Sequence, residues 1–167
     1  MRRCVLLVCL KLVLSQVLID PMCGSGTIAI EAARLKPLAQ VFASDRDAGA
    51  VEMARRNAAR AGTHSIVFST QSFSGALAEL ANSEAVAAGA RVLVACNPPY
   101  GARLSGLRDL RNLYSGLGNS LRPNWRLAFV CGDRVMARLV RPSLASLFET
   151  RSGGMPVFGF LAQPDKQ

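Results

Sequence analysis

The stretch that most constrains the fold is residues 17–33, VLIDPMCGSGTIAIEAA. Apolar residues run into an acid, Asp20, and a turn containing Gly24 and Gly26 follows before a helical pattern begins at Thr27. A strand, a glycine turn and a helix in this order bring backbone N–H groups and a helix N-terminus against a nucleotide-like ligand. The pattern therefore predicts an α/β sheet whose first turn is a binding site.

The rest of the chain repeats this alternation of strand and helix. Strand patterns occupy residues 17–20, 40–44, 65–70, 91–96, 125–131, 147–151 and 157–161. Helical patterns occupy residues 27–35, 47–61, 72–88, 107–121 and 133–140. Such alternation predicts a Rossmann-like, mostly parallel, doubly wound sheet with helices on both faces. Only five residues separate the last two strands, too few for a crossover, so these strands should form an antiparallel hairpin.

Length and composition predict one globular domain over residues 1–167, since half of the residues are hydrophobic. Residues 1–16 are interpreted as a buried lead-in segment rather than a signal peptide, because Lys11 interrupts the apolar run and no cleavage signal follows. Five cysteines without a C-x-x-C pair, and His64 as the only histidine, favour neither a metal site nor a disulfide framework. An odd cysteine count in a chain without a membrane span fits the cytoplasm.

The chain is strongly basic, with a net charge of +9. Arginine outnumbers lysine seventeen to three, and residues 101–167 carry ten basic side chains against four acidic ones. Arginine suits bidentate contacts with phosphate, so an RNA or DNA partner is one interpretation. Solvated helix faces explain the same composition equally well.

Two cofactors fit the glycine turn. The segment 24–29 satisfies G-x-G-x-x-A, and Asp45 ends the second strand where an acid can accept hydrogen bonds from a ribose diol, as in NAD-binding proteins. However, a carboxylate immediately before the turn, Asp20, would repel a pyrophosphate, whereas it can bind the ammonium group of S-adenosylmethionine. S-adenosylmethionine is therefore favoured.

The adenine end of the cofactor should lie after the third strand, around Gln71, Ser72 and Phe73. An acid commonly binds the adenine amino group there, and this stretch has none. The residues predicted to bind the cofactor are Asp20, Pro21, Cys23, Gly24, Gly26, Thr27, Asp45, Arg46, Gln71, Ser72, Phe73 and Asn97.

A second motif, Asn97-Pro98-Pro99-Tyr100, follows the apolar fourth strand. Two prolines remove two N–H donors, which leaves the Asn97 side-chain oxygen and the Pro98 carbonyl as acceptors. Acceptors that hold both hydrogens of a planar NH2 group favour the pyramidal geometry needed for nucleophilic attack, and Tyr100 offers a face for stacking a base. These four residues are the predicted catalytic residues, and hydride transfer from NAD would need no such acceptor pair.

Together, LIDPMCGSGTIAIEAA and NPPYGARL resemble the class I S-adenosylmethionine-dependent methyltransferases, in particular the catalytic domain of THUMP-containing RNA guanine-N2-methyltransferases. The resemblance implies methyl transfer to guanine N2 of ribosomal or transfer RNA. It matches Gly101 and Arg103 to the loop after the amine motif, and Ser72 to the position of the family's acid. No THUMP domain is recognisable, so a separate RNA-capturing domain or partner is expected.

Two alternatives stay open at this point. One is a methyltransferase for another planar amine, either adenine N6 or a protein glutamine. The other is a truncated or inactive module that binds S-adenosylmethionine. If RNA is the substrate, Arg103, Arg108 and Arg111, which follow the amine motif, are predicted to line its entrance.

Overall fold

The computed structural model describes residues 16–34, 40–99 and 106–164. Within these residues the strands are β1 (Val17–Asp20), β2 (Gln40–Asp45), β3 (Ile66–Thr70), β4 (Val92–Cys96), β5 (Arg126–Cys131), β6 (Ala145–Ser152) and β7 (Met155–Ala162). The helices are α1 (Thr27–Arg34), α2 (Ala48–Arg60), α3 (Phe73–Ala81), α4 (Glu84–Ala87), α5 (Leu107–Ser120) and α6 (Arg134–Val140). Of the predicted lead-in segment 1–16, residues 1–15 lie outside the described residues.

All seven strands form one sheet in the order β3-β2-β1-β4-β5-β7-β6. The first five strands are mutually parallel, and β7 is antiparallel to both β5 and β6. This arrangement confirms the predicted Rossmann-like class I fold with its C-terminal hairpin. Because parallel strands point the same way, β1, β2, β4 and β5 all end at one edge of the sheet, which we call the carboxyl edge.

Helices cover both faces of the sheet, and each face has its own hydrophobic core. Side chains alternate along β1, so that Leu18 packs into one core and Ile19 into the other. The larger core, with Trp125 and Tyr114 almost fully buried, contains buried side chains from α3, α5 and α6. The smaller core contains those of α1 and α2. The central strands are therefore buried on both faces, which explains their unbroken apolar sequences.

Helix caps define where several helices begin. The carboxylates of Asp47 and Asp133 accept hydrogen bonds from backbone N–H groups in the first turns of α2 and α6. The single helix expected over residues 72–88 is wrong, because the chain leaves the helix at Asn82 and Ser83 caps a separate short helix, α4. The Ser83 hydroxyl accepts from the Val86 N–H at 3.4 Å, so the break carries its own cap.

No helix in the described part of the chain is both long and apolar enough to cross a membrane.

Candidate cofactor and methyl-acceptor site

The glycine turn at the end of β1 uses its two glycines for different purposes. Both have positive φ, +50° at Gly24 and +83° at Gly26, where side chains are disfavoured. A Cβ on Gly26 would lie 2.9 Å from the Ala54 Cβ, so this glycine allows α2 to pack against the turn. A Cβ on Gly24 would meet no atom within 4 Å. Gly24 therefore borders open space in which a ligand can approach the backbone.

Neighbouring elements hold the turn in place. The Cys23 N–H donates to the Ser44 carbonyl of β2 at 2.9 Å. From α2, the Asn57 side-chain Nδ2 donates to the Ser25 carbonyl at 2.9 Å. Asn57 could not be predicted as a site residue, because a polar residue within a helix gives no local signal that it reaches a turn 32 positions away. The turn is thus fixed from two sides before any ligand binds.

Asp20 is fully buried at the end of β1. Its Oδ1 accepts the Met22 N–H at 3.3 Å, whereas its Oδ2 has no hydrogen-bond partner in the described part of the chain. Burial raises the pKa of Asp20 to about 8; the Met22 N–H lowers it and the nearby charge of Asp45 raises it. A buried carboxylate oxygen without a partner is costly unless a ligand supplies a donor. A cationic ammonium group fits this position.

Asp45 ends β2 and connects it to the glycine turn. Its Oδ2 accepts the Gly24 N–H at 3.0 Å and its Oδ1 accepts the Asp47 N–H at 3.1 Å. Each carboxylate oxygen has a second lone pair, so Asp45 can still accept hydrogen bonds from two hydroxyl groups. This chemistry matches a ribose diol. Arg46, which follows, is exposed.

The other predicted residues of the turn lie around it. Pro21 is buried beside Asp20, and the exposed Thr27 begins α1 with its hydroxyl 3.3 Å from that of Ser25. Burial, together with the charges of Asp20 and Asp45, raises the pKa of the Cys23 thiol to about 12. Cys23 is therefore neutral and shapes the turn rather than acting as a nucleophile.

The predicted adenine end follows β3. The Ser72 hydroxyl caps α3 by accepting the Gly75 N–H at 3.2 Å. The residue at the position of the family's acid therefore stabilises the start of this helix. Phe73 begins α3 and packs against the larger core, with its ring beside Gly116 of α5. Contact of either side chain with adenine stays a prediction.

Gln71 is oriented by Glu79, a residue that no sequence pattern marks. Its Nε2 donates to the Glu79 Oε2 at 2.7 Å and to the Ser69 Oγ at 2.9 Å. Both hydrogens of the amide are thus occupied, which leaves its oxygen as the acceptor that a base amino group needs. Glu79 lies eight positions away on α3, so only the packing of α3 beside β3 reveals the contact.

The amine motif begins at the carboxyl edge, directly after β4. Asn97 is exposed, Pro98 is buried and Pro99 is half-buried, so the side-chain amide of Asn97 can reach a ligand from outside. β4 is the neighbour of β1, with Val94 paired to Ile19, and the motif therefore lies beside the cofactor turn. Tyr100, Gly101 and Arg103 lie outside the described residues.

Two of the predicted RNA-binding arginines lie on α5, and two further cysteines are buried. Arg108 and Arg111 are exposed in the first turns of α5, which starts near the carboxyl edge after the amine motif. Burial raises the pKa of Cys131 to about 11 and that of Cys96 well above its usual value, so neither thiol is a reactive thiolate. Among the described residues, no group of three His, Cys, Asp or Glu side chains could hold a metal ion.

The fold, the glycine turn between two strand-end acids and the adjacent Asn-Pro-Pro segment together define a class I methyltransferase domain. Residues 5–152 match the family described as "RMKL-like, methyltransferase domain". The chain belongs to this family, which confirms the predicted class of S-adenosylmethionine-dependent methyltransferase.

Curated relatives are longer than this chain. The ribosomal RNA large subunit methyltransferase K/L of Legionella pneumophila (strain Lens) is 32% identical over 161 residues, covering 71% of this chain and 22% of the relative. The same-named protein of Syntrophotalea carbinolica is 28% identical, covering 83% of this chain and 25% of the relative. The chain thus spans about a quarter of the length of these relatives, or less.

Solved structures share the fold. TrmN from Thermus thermophilus superposes with a TM-score of 0.72 at 26% identity, covering 97% of this chain and 48% of TrmN. SMU.472, solved in complex with SAH, superposes with a TM-score of 0.71 at 19% identity, covering 91% of this chain and 49% of SMU.472. The second likeness concerns the fold alone.

Proposed function

We propose that this chain transfers a methyl group from S-adenosylmethionine to an exocyclic base amine in RNA, with guanine N2 of ribosomal or transfer RNA as the target. One observation carries the proposal: the Asn97-Pro98-Pro99 segment follows β4 directly beside β1, whose end holds the buried Asp20 and the glycine turn. Acceptors for an amine and acceptors for a cationic cofactor are thus neighbours at one edge.

The cofactor would be held by residues of β1, β2 and the turn between them. The unpartnered Oδ2 of Asp20 would accept from its ammonium group, Gly24 would allow close approach of its chain, and Asp45 would bind the ribose hydroxyls. When bound, S-adenosylmethionine supplies an electrophilic methyl group on a positively charged sulfur. An ionised Asp20 would also add a negative charge to the site, which favours a cofactor that carries positive charge.

The target amine would be held by Asn97 Oδ1 and the Pro98 carbonyl oxygen. Each accepts one N–H of the amine, so that the nitrogen lone pair is turned towards the methyl group. The nitrogen becomes acidic only when it is methylated, and its surplus proton can pass to water. Catalysis therefore depends on orientation and hydrogen bonding rather than on a strong general base.

RNA as the substrate is supported by charge and by the names of the relatives. The chain carries a net charge of +9, and Arg108 and Arg111 are exposed after the amine motif. The two curated relatives are named as ribosomal RNA methyltransferases. A separate RNA-capturing domain or partner is also part of the proposal. A cytoplasmic location stays a prediction.

The test replaces the acceptor amide and leaves the cofactor turn intact. Asn97→Ala should lower methyl transfer from labelled S-adenosylmethionine to ribosomal or transfer RNA by about a hundredfold or more, as for removal of one transition-state hydrogen-bonding group. Cofactor affinity, measured by calorimetry, should change little. Asn119→Ala is the matched control, since Asn119 is exposed near the end of α5, where the chain returns to the opposite edge of the sheet.

Mass spectrometry of digested RNA then identifies the methylated nucleoside. N2-methylguanosine supports the proposal in full. N6-methyladenosine, or methylation of a protein glutamine instead of RNA, would replace it with the corresponding alternative. Cofactor binding without transfer to any of these acceptors would indicate an inactive module, and Asn97→Ala with wild-type transfer would refute the role of the amine motif.

A further inference from the structure

A second concave site lies away from the cofactor turn, between α6 and the β6–β7 hairpin. It is a cleft of about 390 Å³, a size within the range of ligand-binding pockets. Its lining consists of Arg134, Arg138, Pro142, Leu144, Ser146 and Phe160. None of these residues belongs to the predicted cofactor or amine sites.

The cleft carries more positive than negative charge. Arg134 and Arg138 lie four residues apart on α6 and so present two guanidinium groups on the same side of the helix. Arg134 lies over the Phe158 ring, 4.4 Å from its centroid, and pairs with Glu149 of β6 at 2.8 Å. For Arg138, the described residues provide no carboxylate partner. One guanidinium is therefore positioned by a ring and an acid, and the other is available to an anion.

The cleft opens beside the edge at which the amine motif lies. Phe129 of β5 pairs with Cys96 of β4, which directly precedes Asn97. Helix α6 begins shortly after β5 ends, so its start lies only a few residues beyond the level of Asn97. The β6–β7 hairpin extends further, because Phe158 pairs with Cys131 and three more residues precede it in β7. From β4 to β6 is three strand spacings, roughly 15 Å at about 4.8 Å each.

We propose that this cleft binds the phosphate backbone of the RNA substrate on one side of the target nucleotide. The inference rests on the proposed function. Arginine forks bind phosphate oxygens bidentately, and the hydroxyl of Ser146 offers a further donor. The apolar floor formed by Phe160 and Leu144 gives the ribose a surface to pack on. If the target base is held at Asn97, a few nucleotides of the RNA backbone would span the distance from Asn97 to Arg138.

The contrast with the cofactor side supports an anionic occupant here. The Asp45 carboxylate lies at the end of β2, where it repels phosphate groups from that side of the edge. At the β5–β6 side, Glu149 beside the cleft pairs with Arg134, and the Asp133 carboxylate accepts N–H groups in the first turn of α6. A polyanion that reaches the amine motif is therefore attracted towards α6.

The test measures RNA binding by charge-reversed and neutral variants of the whole chain. The probe is a fluorescein-labelled single-stranded RNA of mixed sequence, titrated by anisotropy at several KCl concentrations. Arg138→Glu should weaken binding by about tenfold or more, and the slope of log affinity against log salt should become shallower by about 0.7 for one lost phosphate contact. Arg138→Gln should give the same change of slope with a smaller loss of affinity.

Arg91→Glu is the matched control, because Arg91 is exposed just before β4 at the opposite edge. It should leave the salt slope unchanged, and cofactor affinity should be the same in all variants. Inorganic phosphate should compete only weakly, since a single phosphate contact supplies a fraction of the binding.

Four outcomes would overturn the inference. They are wild-type RNA affinity in Arg138→Glu, a loss of affinity with an unchanged salt slope, an equal effect of Arg91→Glu, and Arg138-dependent binding of poly-glutamate but not of RNA. If wild-type protein methylates RNA through Asn97 while Arg138→Glu binds normally, only the cleft assignment fails. If wild-type protein neither binds nor methylates RNA, the proposed function itself fails.

Discussion

The buried carboxyl of Asp20 should make cofactor binding dependent on pH. With a pKa of about 8, Asp20 is mostly protonated in the ligand-free protein at neutral pH. A cationic ammonium group binds the ionised form, so the apparent affinity follows the ionised fraction. From about pH 5.5 to about pH 7 that fraction rises about 30-fold, equivalent to about 2 kcal/mol. Binding at about pH 7 should release about 0.9 proton, which calorimetry in buffers of different ionisation enthalpy measures.

The Asp20→Asn variant is the matched comparison. It should bind S-adenosylmethionine weakly, without the pH slope and without proton release. Of the titratable groups near Asp20, the thiols of Cys23 and Cys96 have raised pKa values and stay neutral in this range, and Asp45 is present in both proteins. His64 is exposed before β3 at the opposite edge and is present in both proteins. Equal slopes in wild type and variant, or a flat wild-type profile, would refute the assignment of the ammonium to Asp20.

The same residue should affect folding stability, with a defined sign. Its pKa in the folded chain lies above the ordinary value of 3.8, so ionisation opposes folding. The resulting loss of folding free energy is absent below about pH 4 and grows by about 1.4 kcal/mol per pH unit until about pH 8. Asp20→Asn should therefore raise the Tm relative to wild type more at about pH 8 than at about pH 5. A constant difference between the two proteins would show that folding does not raise the pKa of Asp20.

Two further predictions concern packing that supports the site. Gly118→Ala should lower the free energy of unfolding by about 1–3 kcal/mol in denaturant titrations, because its Cβ would lie 2.5 Å from the Val140 carbonyl oxygen. Gly106→Ala is its control and should change stability by less than about 0.5 kcal/mol, since a Cβ there meets open space. Asn57→Ala should weaken S-adenosylmethionine binding by about fivefold in calorimetry, through loss of a hydrogen bond worth about 1 kcal/mol to the Ser25 carbonyl. Unchanged affinity would show that the turn does not need this support.

The sequence was informative about the strands and about the acids at their ends for one physical reason. Central parallel strands are buried on both faces, so β1, β4 and β5 are apolar runs that end abruptly where the chain meets solvent or ligand. Asp20 ends β1, Asp45 ends β2 and Asn97 follows β4. Parallel topology alone brings these three residues to one edge. Their juxtaposition could therefore be predicted before any coordinate was known.

The supporting contacts could not be predicted in this way. The bond from Asn57 to Ser25 and the bond from Gln71 to Glu79 depend on how α2 and α3 pack, and neither contact has a local sequence signature. The break before Ser83 was missed because the surrounding residues are alanine-rich and favour helix on both sides. The Arg138 cleft exists only because the β6–β7 hairpin folds back beside α6, a tertiary arrangement invisible in the spacing of arginines.

The proposed reaction requires two ligands of opposite charge to meet at one edge of a single sheet. The charged side chains that would attract each ligand lie at different positions along the strand order. Asp45 and, in its ionised form, Asp20 place negative charge at the ends of β2 and β1, whereas Arg134 and Arg138 lie beyond β5. Asn97, which is neutral, follows β4 between the two regions. A cationic cofactor and a polyanionic substrate would each be excluded from the other's side by electrostatic repulsion. The order of strands would thus orient both ligands towards the uncharged acceptor between them.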